Sequence, residues 1–136
     1  MPISFLPDVR KIAIVGVSSN PQKWGHKIFF ILKKRYPDLI IYPINPKIQE
    51  ISGFKVYPSI TELPEVPELV ISVVKPQITE KIFEQACEIG VKYFWMQPGS
   101  ESKEVINLAE RKNIKIFYNT CILQSSAAGK IVPYES

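Results

Sequence analysis

Five short apolar runs punctuate the chain, at about residues 11–15, 39–42, 69–74, 93–96 and 115–118. Each is nearly continuous rather than alternating. That is the pattern of strands buried on both faces of a parallel sheet. Between the runs, apolar residues return at helical spacing. A first helix is predicted from Pro21 or Trp24 to Arg35, with Ile28, Phe29, Ile31 and Leu32 inward. Tyr36-Pro37-Asp38 stops it, because proline and the residue before it disfavour continuation. A second helix covers 76–89, with Ile78, Ile82, Phe83, Ala86 and Ile89 on one face. Pro76 suits its first turn and Gly90 its end. A third covers 102–112, with Val105, Ile106 and Ala109 inward. Around Pro43 and Pro46 the chain is stiff; residues 50–59 read as a short helix or turn, then an extended piece at 55–57. Ser59 caps a helical turn at 60–63.

Alternation of buried strands with helices implies an α/β, doubly wound, mainly parallel five-stranded sheet with helices on both faces. Right-handed crossovers put all strand C-termini on one edge. That edge carries residues 16–25, 45–47, 74–76, 97–99 and 119–121. Ligands of such sheets bind there, where strand order reverses, expected beside the first strand. Its exit, Gly16 followed by Ser18, Ser19 and Asn20, is the natural place for a phosphate.

Length makes one domain, 1–136, the expectation, with 1–10 a lead-in whose Phe5 and Leu6 tuck against the domain. Residues 122–136 form a C-terminal tail wrapping it. With 46% hydrophobic and 22% charged residues, a folded globular chain is expected and long disorder is not. No apolar run approaches the roughly 20 residues of a membrane span. The N-terminus shows no signal-peptide pattern, so the expected location is cytoplasmic, without a membrane partner. Cys87 and Cys121 make no disulfide framework, and with His26 the only histidine no His/Cys metal site is expected. The net charge of +4 suits a phosphate-rich small molecule. Its densest cluster, Lys33-Lys34-Arg35, reads as a solvated helix end, which disfavours a nucleic-acid partner.

The dinucleotide fingerprint needs two further glycines after Gly16 and an acid after the second strand. Val17, Ser18, Ser19 and Asn20 follow Gly16, and Asn45, Pro46 and Lys47 follow the second strand. NAD is therefore disfavoured, and the Walker pattern is absent. A lysine where NAD proteins keep an acid suits a phosphate on the ribose, as in NADP or in coenzyme A with its 3′-phosphate. Lys75 leaves the third strand at the same edge. Each lysine also reads as a solvated surface charge.

Taken together, IAIVGVSSNPQKWG, YPINPK, GFKVYPSITELP, LVISVVKP, YFWMQPGSES and NTC resemble the small CoA-binding proteins. Their Rossmann-like domain is similar to the N-terminal domain of the succinyl-CoA synthetase α subunit. The resemblance covers about residues 11–121. It implies that Gly16, Ser18, Ser19 and Asn20 cradle the diphosphate, with Lys23, Trp24 and Gly25 completing that wall. It also implies that Pro46 and Lys47 meet the adenosine end, Lys47 at the 3′-phosphate. Val73, Val74, Lys75 and Pro76 would line the adenine and ribose site with Ile78 behind, and Gln97 to Gly99 the pantetheine channel. Many family members carry a basic residue in place of Trp24, which has a second reading as a core anchor of the first helix.

Cys87 reads as a packing residue. Cys121, past the last strand, reads either as a structural thiol or as one able to form a mixed disulfide with CoA. His26 reads as structural, and no nucleophile–base–orienter set is visible, so no catalytic residue is assigned. The first expectation is thus non-catalytic binding of coenzyme A or an acyl-CoA. The alternatives are a CoA-binding subunit of an acyl-CoA synthetase, with its catalytic domain on a partner chain, and an NADP-binding reductase. The α subunit's second domain, with its phosphorylated histidine, has no expected counterpart here.

Overall fold

The computed structural model describes residues 8–127, so Phe5, Leu6 and the tail beyond 127 lie outside the described residues. The elements are β1 (Lys11–Val15), α1 (Trp24–Arg35), β2 (Ile40–Ile44), a hairpin of β3 (Glu50–Ile51) and β4 (Phe54–Lys55), a 3-10 turn (Ile60–Glu62), β5 (Leu69–Ser72), α2 (Pro76–Ile89), β6 (Tyr93–Met96), α3 (Lys103–Ala109), β7 (Lys115–Phe117) and α4 (Ile122–Ala127). Five strands form one parallel sheet in the order β2-β1-β5-β6-β7. The chain leaves β1 toward β2 and later resumes on β1's other side with β5. The expected doubly wound sheet is present, and strand order reverses between β1 and β5.

Side chains alternate between two buried layers, as the pleat requires. Ile12, Ile14, Leu69, Ile71, Trp95 and Phe117 face one layer, with Ile28, Phe29 and Leu32 of α1 and Ile122 and Leu123 of α4. Ala13, Val15, Val70, Phe94, Met96 and Ile116 face the other, with Phe83 and Ala86 of α2 and Val105 of α3. Burial on both faces is why the strands read as continuous apolar runs. Each fully buried Ile, Leu or Phe contributes about 1.5–3 kcal/mol. Trp95 stacks on Phe117 at 5.2 Å between ring centroids, and its indole N–H donates to the Thr120 carbonyl at 3.2 Å. No helix among the described residues is long and apolar enough to cross a membrane.

Several boundaries differ from the sequence expectation. β2 runs through Pro43 to Ile44 rather than ending at Tyr42. Proline is accommodated because β2 is the sheet edge: Pro43 turns its backbone outward, where its carbonyl accepts the Tyr57 N–H at 3.0 Å. Of the short helix or turn expected after residue 50, the turn is present, at Ser52 and Gly53 of the β3–β4 hairpin, whose φ values of 48° and 86° suit a primed turn, and the extended piece lies at Phe54–Lys55 rather than 55–57. β5 stops at Ser72 and β7 at Phe117, each short of its apolar run. On α2 the buried face is Thr79, Phe83 and Ala86, while Ile78 is 44% exposed. Thr79 takes the inward position because its hydroxyl bonds that of Ser72 at 2.8 Å. α3 spans Lys103–Ala109, giving way to i→i−3 bonds at Arg111 and Lys112. The start of the expected tail is the helix α4, packed on α1 and held by Arg35 donating to the Leu123 carbonyl at 2.6 Å.

Candidate functional site

The loop between β1 and α1 is set by two glycines that lack room for a side chain. Gly16 has φ +100°, and a Cβ there would lie 2.3 Å from the Val73 carbonyl oxygen. A Cβ on Gly25 would lie 1.9 Å from the Gly16 carbonyl oxygen. The first turn of α1 therefore seats directly on the end of β1, and Gly25 is buried beneath the loop rather than forming its wall. Between them the loop is knotted on itself. Ser18 Oγ accepts the Asn20 N–H at 3.0 Å, and Asn20 Oδ1 accepts the Gln22 N–H at 2.9 Å. The Gly16 and Val17 N–H groups donate to the Ile44 carbonyl. His26 Nδ1 lies 2.9 Å from the Ser18 carbonyl, which assigns the proton to that nitrogen. Asn45 ties this loop to the exit of β2: its Nδ2 donates to the Val17 carbonyl at 2.8 Å, and its Oδ1 accepts the Lys47 N–H at 2.7 Å.

A cleft of about 970 Å³ follows the C-terminal edge of the sheet. It runs from the loops after β1 and β5, with Lys23, Trp24, Val73, Val74 and Lys75, past Gln97 to Ser100, to Asn119, Thr120, Cys121, Leu123 and Gln124. Among the described residues, its only charged lining residues are Lys23 and Lys75, both at the β1/β5 end. Each is the N-cap of a long helix, Lys23 of α1 and Lys75 of α2, and neither side chain caps. Ser, Thr, Asp or Asn is the stabilising choice at an N-cap, and a cation there opposes the helix dipole. Neither helix carries an acid in its first turn. Elsewhere the chain caps normally: Ser102 accepts the Val105 N–H at 3.3 Å and Ser59 the Thr61 N–H at 3.0 Å. Two helix N-termini and two lysines thus gather positive charge at one end of the cleft.

Among the described residues, the other end carries no charged lining residue and is tightly organised. Gln97 is 4% exposed. Its Oε1 accepts the N–H of Ile122, the first residue of α4, at 2.8 Å, and its Nε2 donates to Cys121 Sγ at 3.3 Å. Gln97 therefore anchors the turn into α4 and fixes the half-buried Cys121. Asn119, at φ +69°, turns the chain out of β7, a conformation asparagine tolerates.

Of the residues singled out from the sequence, the cleft gathers Lys23, Trp24, Val73, Val74, Lys75, Gln97 and Cys121. Gly16, Ser18, Ser19, Asn20, Gly25, Pro46, Lys47, Pro76 and Ile78 are not among its lining residues. Trp24 is 58% exposed, which overturns its reading as a core anchor. Cys87 sits apart, lining a separate cavity of about 390 Å³, and burial pushes its thiol pKa up. Asn45, Ser100, Leu123 and Gln124 are contributors the sequence reading did not assign. Only Asn45 carried a signal, since Asn-Pro favours the Asx turn it makes.

Comparison with known proteins agrees with this architecture. The profile of the CoA binding domain family matches residues 10–126. The acetate–CoA ligase (ADP-forming) II subunit alpha of Pyrococcus furiosus is 29% identical over 130 residues, covering 88% of this chain. The chain spans only 28% of that relative's length. A hypothetical protein of Pyrococcus horikoshii superposes with a TM-score of 0.85 at 30% identity, covering 94% of this chain and 95% of that one. A dinucleotide-forming acetyl-coenzyme A synthetase of Ca. Korarchaeum cryptofilum gives a TM-score of 0.71 at 25% identity, over 79% of this chain and 25% of that one. With a profile match across nearly all the described residues, the chain belongs to the CoA binding domain family.

Proposed function

We propose that this chain, as one domain, binds coenzyme A or an acyl-CoA along the sheet-edge cleft without catalysing its turnover. The diphosphate lies at the Lys23 and Lys75 end and the pantetheine runs past Gln97 and Gly99 toward Cys121. The observation that carries this reading is the pair of lysines at the N-caps of α1 and α2. A lysine there costs helix stability twice over, and rules broken at one place in a fold mark functional sites. Lys47, on the loop that Asn45 ties to the glycine turn, meets the 3′-phosphate from outside the cleft. Ser18 and Ser19 flank the diphosphate. The Gly16 and Asn20 N–H groups are already committed inside the protein, so they shape the turn rather than donate. Trp24 supplies an exposed apolar wall.

Titration calorimetry with CoA, dephospho-CoA and NADPH tests the reading. CoA binding with one site per chain is expected, weakened for dephospho-CoA and absent for NADPH. Binding of NADPH without CoA would replace it with the reductase alternative. Equal losses for CoA and dephospho-CoA in Lys47→Ala would remove the 3′-phosphate assignment.

A second reading is favoured by a specific observation, the similarity to the ligase subunit alpha of Pyrococcus furiosus. In it this chain is the CoA-binding part of an acyl-CoA synthetase completed by a partner chain. Recovery of acyl-CoA synthesis on mixing with that partner would establish it.

The position of Cys121 on the cleft wall also supports thiol exchange. Its thiolate attacks one sulfur of CoA disulfide, forming the Cys121–CoA disulfide and releasing one CoA thiolate, which takes the proton Cys121 lost. Intact mass after incubation with CoA disulfide should show one CoA adduct that Cys121→Ser abolishes. An adduct that persists would move the chemistry to Cys87.

A further inference from the structure

The amide of Gln97 has an unusual set of partners. The Ile122 N–H fixes which end is oxygen, so Nε2 faces Cys121 and cannot flip without losing a 2.8 Å bond. A primary amide nitrogen carries two hydrogens, and the acceptor shown for it is a sulfur at 3.3 Å. Sulfur is a weak acceptor, so a side chain only 4% exposed directs an under-used donor at the cleft. Such a donor gains from any good acceptor brought to it.

The charge asymmetry of the cleft says which part of a ligand arrives there. The lysines hold the β1/β5 end, and the described residues after β6 and β7 that line the other end are uncharged. A molecule with phosphates at one end and sulfur at the other lies with its sulfur beside Cys121 and Gln97. In a thioester, the atom group next to that sulfur is a carbonyl.

We infer that Gln97 Nε2 donates to the thioester carbonyl of an acyl-CoA, making the site selective for the acylated form. This rests on the proposed placement of CoA in the cleft. On binding, the N–H exchanges the Cys121 sulfur for the carbonyl oxygen, while Oε1 keeps the Ile122 N–H and α4 stays anchored. Gln97 is thus a specificity-determining residue, and no bond is made or broken.

Acetyl-CoA and S-ethyl-CoA share every heavy atom except the carbonyl oxygen, so their affinity ratio isolates the donor. Calorimetry on the full chain should show acetyl-CoA binding about fivefold to tenfold more tightly than S-ethyl-CoA, the scale of one neutral hydrogen bond. In Gln97→Glu, which keeps the acceptor for Ile122 and loses the N–H, the ratio should fall to about one. Circular dichroism would confirm that the variant keeps its helices. Should it not fold, the wild-type ratio decides alone. Equal wild-type affinities, or a ratio unchanged by Gln97→Glu, would overturn the assignment while leaving CoA binding intact. Failure of every CoA species to bind would instead sink the proposed function, and this inference with it.

Discussion

Replacing Lys75 with serine should make the protein more stable and a poorer CoA binder. Lys75 is the N-cap of α2, with φ −63° and ψ 151°, the extended geometry from which a serine hydroxyl reaches the first-turn N–H groups. Gaining that cap contributes about 0.5–2 kcal/mol. Removing a cation from the positive end of a 14-residue helix adds about 0.3–1 kcal/mol. Exposure of the site places the sum toward the lower end, about 1 kcal/mol. A charged hydrogen bond to phosphate contributes about 1.5–3 kcal/mol. Solvent screening at an exposed lysine lowers this, so the expected loss is roughly tenfold in affinity. Urea denaturation should show a higher midpoint with an unchanged slope, and calorimetry a weaker CoA Kd. A variant more stable yet undiminished in CoA binding would refute the placement of the phosphates. A less stable variant would refute the view that this lysine sits where the helix alone would not choose one.

The seating of α1 on β1 predicts that Gly25→Ala is severe, because its Cβ would lie 1.9 Å from a backbone oxygen. A loss above about 3 kcal/mol, beyond ordinary overpacking, is expected by denaturant unfolding; a loss under 1 kcal/mol would contradict the close contact. Trp24 is 58% exposed while Trp95 is fully buried, so CoA should change only the emission of Trp24. Trp24→Phe should remove the ligand-dependent fluorescence change, and an unaltered change would remove Trp24 from the site. The Asp8 carboxyl is held below its ordinary value of 3.8, chiefly because Lys92 donates to it at 2.6 Å, with the Tyr93 hydroxyl at 3.0 Å. A lowered native pKa means its stabilisation is complete above pH 3.8 and lost as pH falls through the native value. Asp8→Asn should therefore be less stable than wild type at neutral pH, the gap closing in the acid range below 3.8; a gap independent of pH would contradict this.

The sheet was legible in the sequence because its central strands β1, β5 and β6 are buried on both faces, which writes them as apolar runs. Helix α2 was equally legible, since Pro76 and Gly90 mark its ends. Elements set by tertiary partners were not. β2 continues through Pro43 only because the Tyr57 segment lies along its outer edge. The hairpin strands are two residues each, too short for any periodicity. α4 forms where Gln97 accepts its first N–H, a contact 25 residues distant in sequence. In the site, Lys75, Val73, Val74 and Gln97 were visible as strand-exit residues. The packing role of Gly25 was hidden because its partner, Gly16, lies across an irregular loop. The internal commitments of Gly16 and Asn20 were hidden too, since a glycine- and serine-bearing loop resembles an open phosphate cradle whether or not its N–H groups are already used.

The most direct measurement is the electron density of a crystal grown with CoA. Density should place the diphosphate between the Lys23 and Lys75 side chains and the sulfur within reach of Cys121 and Gln97. Density with the phosphates at the Cys121 end, or CoA bound away from the sheet edge, would contradict the placement.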